Sequence, residues 1–376
     1  MSLWRSSDSR PTKVLYCIDK LVRGGTELQV MGIIERLDRT RYKPYLLTIR
    51  PTDPQLIPGQ CEHVALNVPT LFSVSGLRSM YWLIRFLRSE GIEVVQTFFP
   101  DSTIFGGLAS RLAMTPARIA CFRDLAFWSD WKQTMLLKRI YPMMNGYLCN
   151  ANVVLEHFAD QFGIDRERAL VIRNGIDPTE LPFKEHSGPT TNIGIVGNMT
   201  RSVKRTDLFI RAAALVHRHY PDIHWHVLGD GHLRPELEQL AGELGLSGKI
   251  TFAGRVEDVP GYLSQLQVGV ICSDSEGLSN ALLEYMFLGV AAVATDAGGN
   301  TELVEDGVTG LVIPPGQAAA LAAALIRLIE QPSLRQQIAF SARKKAEQSY
   351  SWERCLSEHY DAYRALLAGR GMEQLV

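Results

Sequence analysis

The chain has 376 residues, and its 39 lysines plus arginines against 40 aspartates plus glutamates leave a formal charge of -1, which excludes a global field that recruits nucleic acid. That length exceeds one average core and implies two domains with a cleft between them, while 46% hydrophobic, 21% charged and 9% aromatic residues exclude a disordered or fibrous chain. The six cysteines (Cys17, Cys61, Cys121, Cys149, Cys272 and Cys355) lack both zinc-site spacing and disulfide-scaffold density, and read as reduced thiols in a cytosol.

The opening MSLWRSSDSRPTK is polar, and no apolar run approaches the roughly 20 residues that cross a bilayer, so the expectation is a protein neither secreted nor membrane-spanning. A strand over 13–18 leads through a turn ending in Gly24-Gly25 to a helix over about 26–37, with Thr26 as its expected cap. Residues 45–49 and 94–97 read as strands, 77–88 and 103–112 as helices. Residues 78–88 (RSMYWLIRFLR) and 132–139 mix basic with aromatic and long apolar side chains, which suits either a core-facing amphipathic helix or one lying on a membrane surface.

Residues 173–186, with Pro178 and Pro182, have the turn-rich composition of a hinge, and the boundary is expected near residue 182. The pattern then restarts, with strands over 192–196, 224–228, 250–253, 268–271 and 291–294, and a helix over 207–217. Each strand ends in a glycine-bearing or acidic loop. Strands alternating with helices imply parallel sheets, whose ligands bind at the carboxyl ends of the strands. The tail over 351–367 is helical in pattern.

The most informative stretch runs from Ser273 to Glu284 (SDSEGLSNALLE). A helix starting near Ser279 offers free backbone N–H groups and a positive dipole end, and Gly277 allows close approach of a diphosphate. Glu276 precedes that helix and Glu284 lies one to two turns inside it. Taken alone, the pair equally describes a dipole-favouring charge and a solvated helix glutamate.

Three further segments accompany it: Asn174-Gly175-Ile176-Asp177, the loop from Gly197 to Lys204, and Gly298-Gly299-Asn300-Thr301-Glu302. In this order and spacing the chain resembles glycosyltransferase family 4 over nearly its whole length. The resemblance implies an α/β protein of GT-B type, two Rossmann-like doubly wound parallel-sheet domains facing across a cleft. Its domains would be residues 1–181, on the acceptor side, and 182–352, which binds the nucleotide sugar, with 353–376 packing back on the first. The implied activity is retaining transfer of a sugar from a nucleotide diphosphate, UDP or GDP, to a glycan or lipid-linked acceptor in polysaccharide or glycoconjugate assembly. It would need no metal or other cofactor and would take place in the cytoplasm, with possible peripheral contact at the inner membrane face.

Carried onto matching positions, the resemblance implies that Glu276 contacts the donor sugar, Glu284 the ribose, the amides around Leu278 and Ser279 the diphosphate, and Lys204 the departing nucleotide. A cation at Lys204 suits a leaving group that gains negative charge. Asn198 stands where relatives often have a phosphate-binding arginine, and Arg201 or Arg205 is a candidate to supply that charge. Arg255 and Val256 lie where relatives approach the nucleobase, although Arg255 also suits an ion pair with Glu257 or Asp258. Gly25 belongs to the family's first glycine turn. Arg123 and Asp124 occupy the place of an acceptor-side histidine, and Arg123 would bind or orient rather than act as a base.

No Asp-x-Asp motif occurs, and His157, His217, His219, His224, His226 and His232 show no metal-ligand spacing. A three-glycine dinucleotide fingerprint is absent, which disfavours NAD. An epimerase and a catalytically silent nucleotide-sugar-binding subunit remain as alternatives.

Overall fold

The computed structural model describes residues 10–22, 24–126 and 130–375, so residues 1–9 of the polar opening and Arg23 of the first turn lie outside the described residues. The chain divides into two compact units. Unit 1 runs to Gly175 and resumes at Trp352; unit 2 is Ile176–Ser351.

This division differs from the one expected at 181/182 and 352/353, and packing explains why. A Cβ at Gly175 would lie 2.2 Å from the Trp352 ring, and one at Gly32 2.3 Å, so Trp352 seats on two glycines of unit 1. The proline-bearing segment is instead tied to unit 2. The Leu181 carbonyl accepts from Arg343 at 2.7 Å, and the Lys184 amide donates to the Leu288 carbonyl at 3.0 Å.

Unit 1 carries β1 (Thr12–Ile18), β2 (Tyr42–Thr48), β3 (Glu62–Ala65), β4 (Val94–Thr97), β5 (Ala117–Phe122), β6 (Gly146–Cys149) and β7 (Ala169–Val171). They form one parallel sheet in the order β3-β2-β1-β4-β5-β6-β7. Alternation along β1 sends Val14, Tyr16 and Ile18 to one face and Leu15 and Cys17 to the other, each into its own core. The first core includes Cys355, Leu356, Ala362 and Tyr363 of the C-terminal helix Trp352–Leu367. Tyr363 donates to Gln96 of β4 at 2.6 Å, and Tyr360 stacks on Tyr42 with centroids 4.7 Å apart. The first helix is Gly25–Arg36. Its cap is Gly24, whose carbonyl accepts from Leu28 at 3.0 Å, and not Thr26.

Unit 2 carries β8 (Asn192–Val196), β9 (His224–Leu228), β10 (Ile250–Gly254), β11 (Val268–Ile271), β12 (Ala291–Thr295) and β13 (Leu311–Ile313), all parallel, in the order β10-β9-β8-β11-β12-β13. Their apolar runs pack against the helices Thr206–His217 and Ala318–Glu330. Among the described residues no helix is long and apolar enough to cross a membrane. The six cysteines are free thiols.

Candidate functional site

In unit 2 the chain leaves β8 toward β9 and β10 on one side, and toward β11, β12 and β13 on the other. That reversal opens a crevice at the carboxyl ends of β8 and β11, the position where open α/β sheets bind ligands. The loops following the strands there are knitted together. Asp274 donates its amide to the Val203 carbonyl at 2.9 Å, Cys272 its thiol to the Arg205 carbonyl at 3.0 Å, and Met199 its amide to the Asp230 carbonyl at 3.1 Å. Gly229 (φ 122°) sits so close to the loop after β8 that a Cβ would fall 2.1 Å from the Gly197 carbonyl oxygen.

Lys204 and Glu276, 72 positions apart in sequence, meet in this crevice. Lys204 Nζ donates to Glu276 Oε1 at 2.6 Å, and Ser273 Oγ donates to the same oxygen at 2.7 Å. Glu276 is 9% exposed, and two charge-assisted bonds keep that buried carboxylate satisfied. The loop is held from beneath. Thr295 donates to the Ser273 carbonyl at 2.6 Å, Asn300 donates to the Thr295 carbonyl at 3.1 Å, and the Gly299 amide donates to the Glu276 carbonyl at 3.2 Å. Gly298 has φ 57°, and a Cβ there would lie 1.8 Å from that same carbonyl oxygen, so only glycine allows the second turn to press on the first. Ser273 and Thr295 have no special standing in the sequence; only the serine three residues ahead of Glu276 hints at a side-chain bond.

The helix after the loop is Asn280–Leu288, with Ser279 as its cap accepting from the Leu282 amide at 3.3 Å. Leu278 and Ser279 are buried together with Gly277, yet the amides of Leu278 and Ser279 have no hydrogen-bond partner among the described residues. Unpaired N–H groups at a helix start form a site for an anion. Glu284, on the same helix, is half-buried and also has no bonding partner among the described residues. Burial raises its carboxyl to about 7.

The other donor-side residues divide. Asn198 and Arg201 are exposed in the loop after β8. Arg205 pairs with Asp207 at 3.1 Å and with Asp274 at 3.1 Å. Arg255 is exposed and Val256 half-buried. Among the described residues Arg255 pairs with neither Glu257 nor Asp258, and Asp258 caps a short helix by accepting from Gly261 at 2.9 Å.

Unit 1 has its own switch point, between β1 and β4. Asp19 after β1 accepts from the Ser102 amide at 2.6 Å, and burial raises its carboxyl to about 6. Gly25 opens the following helix, in which buried Glu27 is pushed up to about 7 by desolvation. Neither shift can be read from sequence, since both come from burial by distant segments. Arg123 and Asp124 line a small pocket with Thr26, Phe98 and Tyr141. Arg123 donates to Asn174 at 2.5 Å, and Asp124 accepts from the Ala126 amide at 2.9 Å. Burial lowers the Arg123 guanidinium from its ordinary value, but the group remains a cation. Among the described residues no cluster of three or more histidine, cysteine, aspartate or glutamate side chains is arranged to hold a metal ion.

Residues 23–180 match the family described as Glycosyltransferase Family 4, and residues 190–331 match Glycosyl transferases group 1. Both matches are to glycosyltransferase families, one in each half of the chain. Relatives of this chain include the Vi polysaccharide biosynthesis protein VipC/TviE of Salmonella typhi, 30% identical over 187 residues. That match is 46% of this chain but only 32% of the relative's length. A UDP-Gal:alpha-D-GlcNAc-diphosphoundecaprenol alpha-1,3-galactosyltransferase of Escherichia coli is 23% identical over 303 residues, 74% of this chain and 75% of that one. Among solved structures, Anabaena Alr3699/HepE in complex with UDP-glucose superposes with a TM-score of 0.80 at 21% identity, covering 94% of this chain and 99% of that one. At that identity the likeness establishes the fold, which is GT-B.

Proposed function

We propose that this chain is a family 4 glycosyltransferase that transfers a sugar, with retention of anomeric configuration, from a nucleotide diphosphate to a glycan or lipid-linked acceptor in polysaccharide assembly. The observation that carries this reading is the pair of amides at Leu278 and Ser279, without a partner among the described residues, in the same loop-and-helix segment as the Lys204–Glu276 contact. The amides hold the diphosphate, and Lys204 stabilises the charge that accumulates on it as the glycosidic bond breaks. These groups supply positive potential without a metal ion, so the reaction proceeds in chelator. Glu276 faces the donor sugar, and Glu284 accepts from the ribose hydroxyls. Retention follows from same-face attack, in which the acceptor hydroxyl passes its proton to a donor phosphate oxygen. Arg123 and Asp124 contact the acceptor. UDP is the nucleotide of this reading, supported by the solved GT-B neighbour in complex with UDP-glucose.

The test is calorimetric titration with UDP-glucose, GDP-mannose and ADP-glucose in EDTA, across pH 5.5–8.5. One nucleotide sugar binds selectively, and Glu284→Ala weakens it about 10- to 100-fold at pH 8, as expected for losing bonds to a charged acceptor. Ribose hydroxyls require the ionised carboxylate. With the Glu284 carboxyl at about 7, affinity is flat above pH 7 and falls about tenfold per pH unit well below it, a slope that disappears in the variant. Binding of none of the three in EDTA, or a slope retained without Glu284, overturns the donor site.

The lipid-linked acceptor is supported by the surface of unit 1. The helix Val74–Glu90 exposes Val74, Leu77, Tyr81 and Trp82 beside Arg78, Arg85 and Arg88, and Phe72 just before it is 78% exposed. Only Gly76, Leu83 and Leu87 of that helix are buried, so the core accounts for a narrow stripe and leaves an apolar, basic face outward. Such a face lies on anionic lipid. The chain is therefore expected to co-sediment with vesicles containing about one third phosphatidylglycerol and to be released by high salt. Leu77→Glu with Tyr81→Glu abolishes sedimentation while leaving nucleotide binding intact; sedimentation unchanged by that variant removes the membrane contact.

A further inference from the structure

The loop around Glu276 treats the two oxygens of its carboxylate differently. Oε1 takes both side-chain bonds, from Lys204 Nζ at 2.6 Å and from Ser273 Oγ at 2.7 Å. Oε2 has no partner among the described residues, and it is not among the side-chain oxygens that are sealed from solvent without one. An ionised carboxylate has about four sites at which it can accept, so the second oxygen remains an acceptor within reach of a ligand.

The two anchors of Oε1 are themselves held to different degrees. Lys204 ends the single turn Ser202–Lys204, and its side chain is 33% exposed. A four-carbon stem carrying three rotatable donors lets that ammonium swing to a neighbouring anion. Ser273 is 1% exposed, and its one-carbon side chain places the hydroxyl wherever the backbone directs it. That backbone is clamped on both sides. Thr295, fully buried at the end of β12, donates to the Ser273 carbonyl at 2.6 Å, and the next residue, Asp274, donates its amide to the Val203 carbonyl at 2.9 Å. Cys272, just before it, is buried and donates to the Arg205 carbonyl at 3.0 Å. The serine is the rigid anchor and the lysine the adjustable one.

A glutamate side chain has three torsions, and a hydroxyl that pins one oxygen restricts where the other can accept. Restriction of that kind is settled on folding, so a ligand that bonds to the free oxygen does not bear the cost of ordering it.

We propose that Ser273 is a positioning residue for the donor: it fixes Glu276 Oε1 so that Oε2 accepts from a hydroxyl of the donor sugar, and it keeps that aim when Lys204 turns to the diphosphate. This rests on the reading in which Glu276 faces the donor sugar and Lys204 the leaving group. Lys204 cannot aim the carboxylate in that reading, because the same ammonium is required at the phosphate as the glycosidic bond breaks. Ser273 touches no substrate and acts only through Glu276.

The experiment compares, by calorimetry on the full chain, the affinities of a nucleotide sugar and of its bare nucleoside diphosphate. The probes are UDP-glucose with UDP, GDP-mannose with GDP and ADP-glucose with ADP, and the variants are measured with the pair that binds the parent chain most tightly. Ser273→Ala weakens the nucleotide sugar about tenfold, as expected for one hydrogen bond to a charged group, and changes the nucleoside diphosphate by less than about twofold. Glu276→Ala weakens the nucleotide sugar at least as much. Adding Ser273→Ala to it has no further effect, since the serine then has nothing to aim. Ser273→Cys keeps the volume with a weaker donor and falls between parent and alanine, which provides the same comparison if the alanine variant does not fold.

A serine that only braces the loop behaves otherwise. The loop also carries Leu278 and Ser279, so its loss weakens the bare diphosphate equally and adds to Glu276→Ala. That result overturns the proposal, as does a Ser273→Ala variant whose affinity for the nucleotide sugar matches the parent's while Glu276→Ala lowers it. Glu276→Ala without effect on the nucleotide sugar, or failure of all three pairs to bind, overturns the donor-site reading and the positioning role with it.

Discussion

Lys204→Ala lowers the turnover number about 10²- to 10³-fold while changing KM for the nucleotide sugar by less than about threefold. This is the loss expected when one preorganised group facing a developing negative charge is removed, about 2.7–4 kcal/mol of transition-state stabilisation. The ground-state diphosphate keeps the helix-start amides of Leu278 and Ser279, so binding suffers less than chemistry. The stability cost is smaller. Lys204 and Glu276 form a pair whose side chains are 33% and 10% exposed, and the variant leaves Glu276 with the Ser273 hydroxyl alone. Solvent reaches the lysine end, so the destabilisation is expected nearer about 1 kcal/mol than the 3–5 kcal/mol of a fully buried pair broken on one side. Steady-state kinetics against a glycan acceptor, with a thermal melt of the same preparation, separates the two effects. A turnover number within threefold of the parent chain removes Lys204 from the chemistry.

Gly298→Ala destabilises unit 2 by about 3 kcal/mol or more, seen as a fall of roughly 6–12 °C in the melting temperature of that unit. Two costs combine. The left-handed backbone at φ 57° costs a side chain about 1–2 kcal/mol, and the new Cβ would sit 1.8 Å from the Glu276 carbonyl oxygen, which must move. Gly307→Ala is the control. Its φ is 74° but nothing lies within 4 Å of the added atom, so it carries the conformational cost without the collision. Because the displaced carbonyl belongs to Glu276, Gly298→Ala also lowers transfer activity in the folded fraction, whereas Gly307→Ala does not. Equal shifts in calorimetry for the two variants would show that the Gly-Gly turn does not brace the glutamate loop.

The sequence is most readable where the signal is local. The strands at β4, β8, β9 and β11 stand within the expected residues, because short runs rich in β-branched, aromatic and apolar side chains and bounded by turns suffice to mark them. The helix start at Ser279 was equally visible, since a serine cap acts on an amide three residues away. Thr26 satisfied the same rule and failed, because the helix begins one residue earlier, on the Gly24 carbonyl. The short strands β3, β5, β6, β7 and β13 were not marked at all. The inner strands β5 and β6 are buried on both faces and lack alternation, while β3, β7 and β13 stand at sheet edges and run for only three or four residues, and the pairing partners of all five are decided by the sheet rather than the segment.

The amino-acid sequence by itself determined the α/β class, the two-part organisation, the resemblance to a glycosyltransferase family, and the residue types at the carboxyl ends of the unit 2 strands, because spacing and turn chemistry act over a few residues. Only the tertiary structure decided which of those residues meet. Lys204 reaches Glu276 across 72 positions, Arg205 pairs with Asp207 and Asp274, and Gly298 acts on a carbonyl of another loop. It also decided the unit boundary through Trp352 on Gly175 and the raised carboxyl of Glu284. The reason is common to all of these: burial and long-range contact depend on how segments distant in the chain pack, and desolvation has no signature in the residues that undergo it.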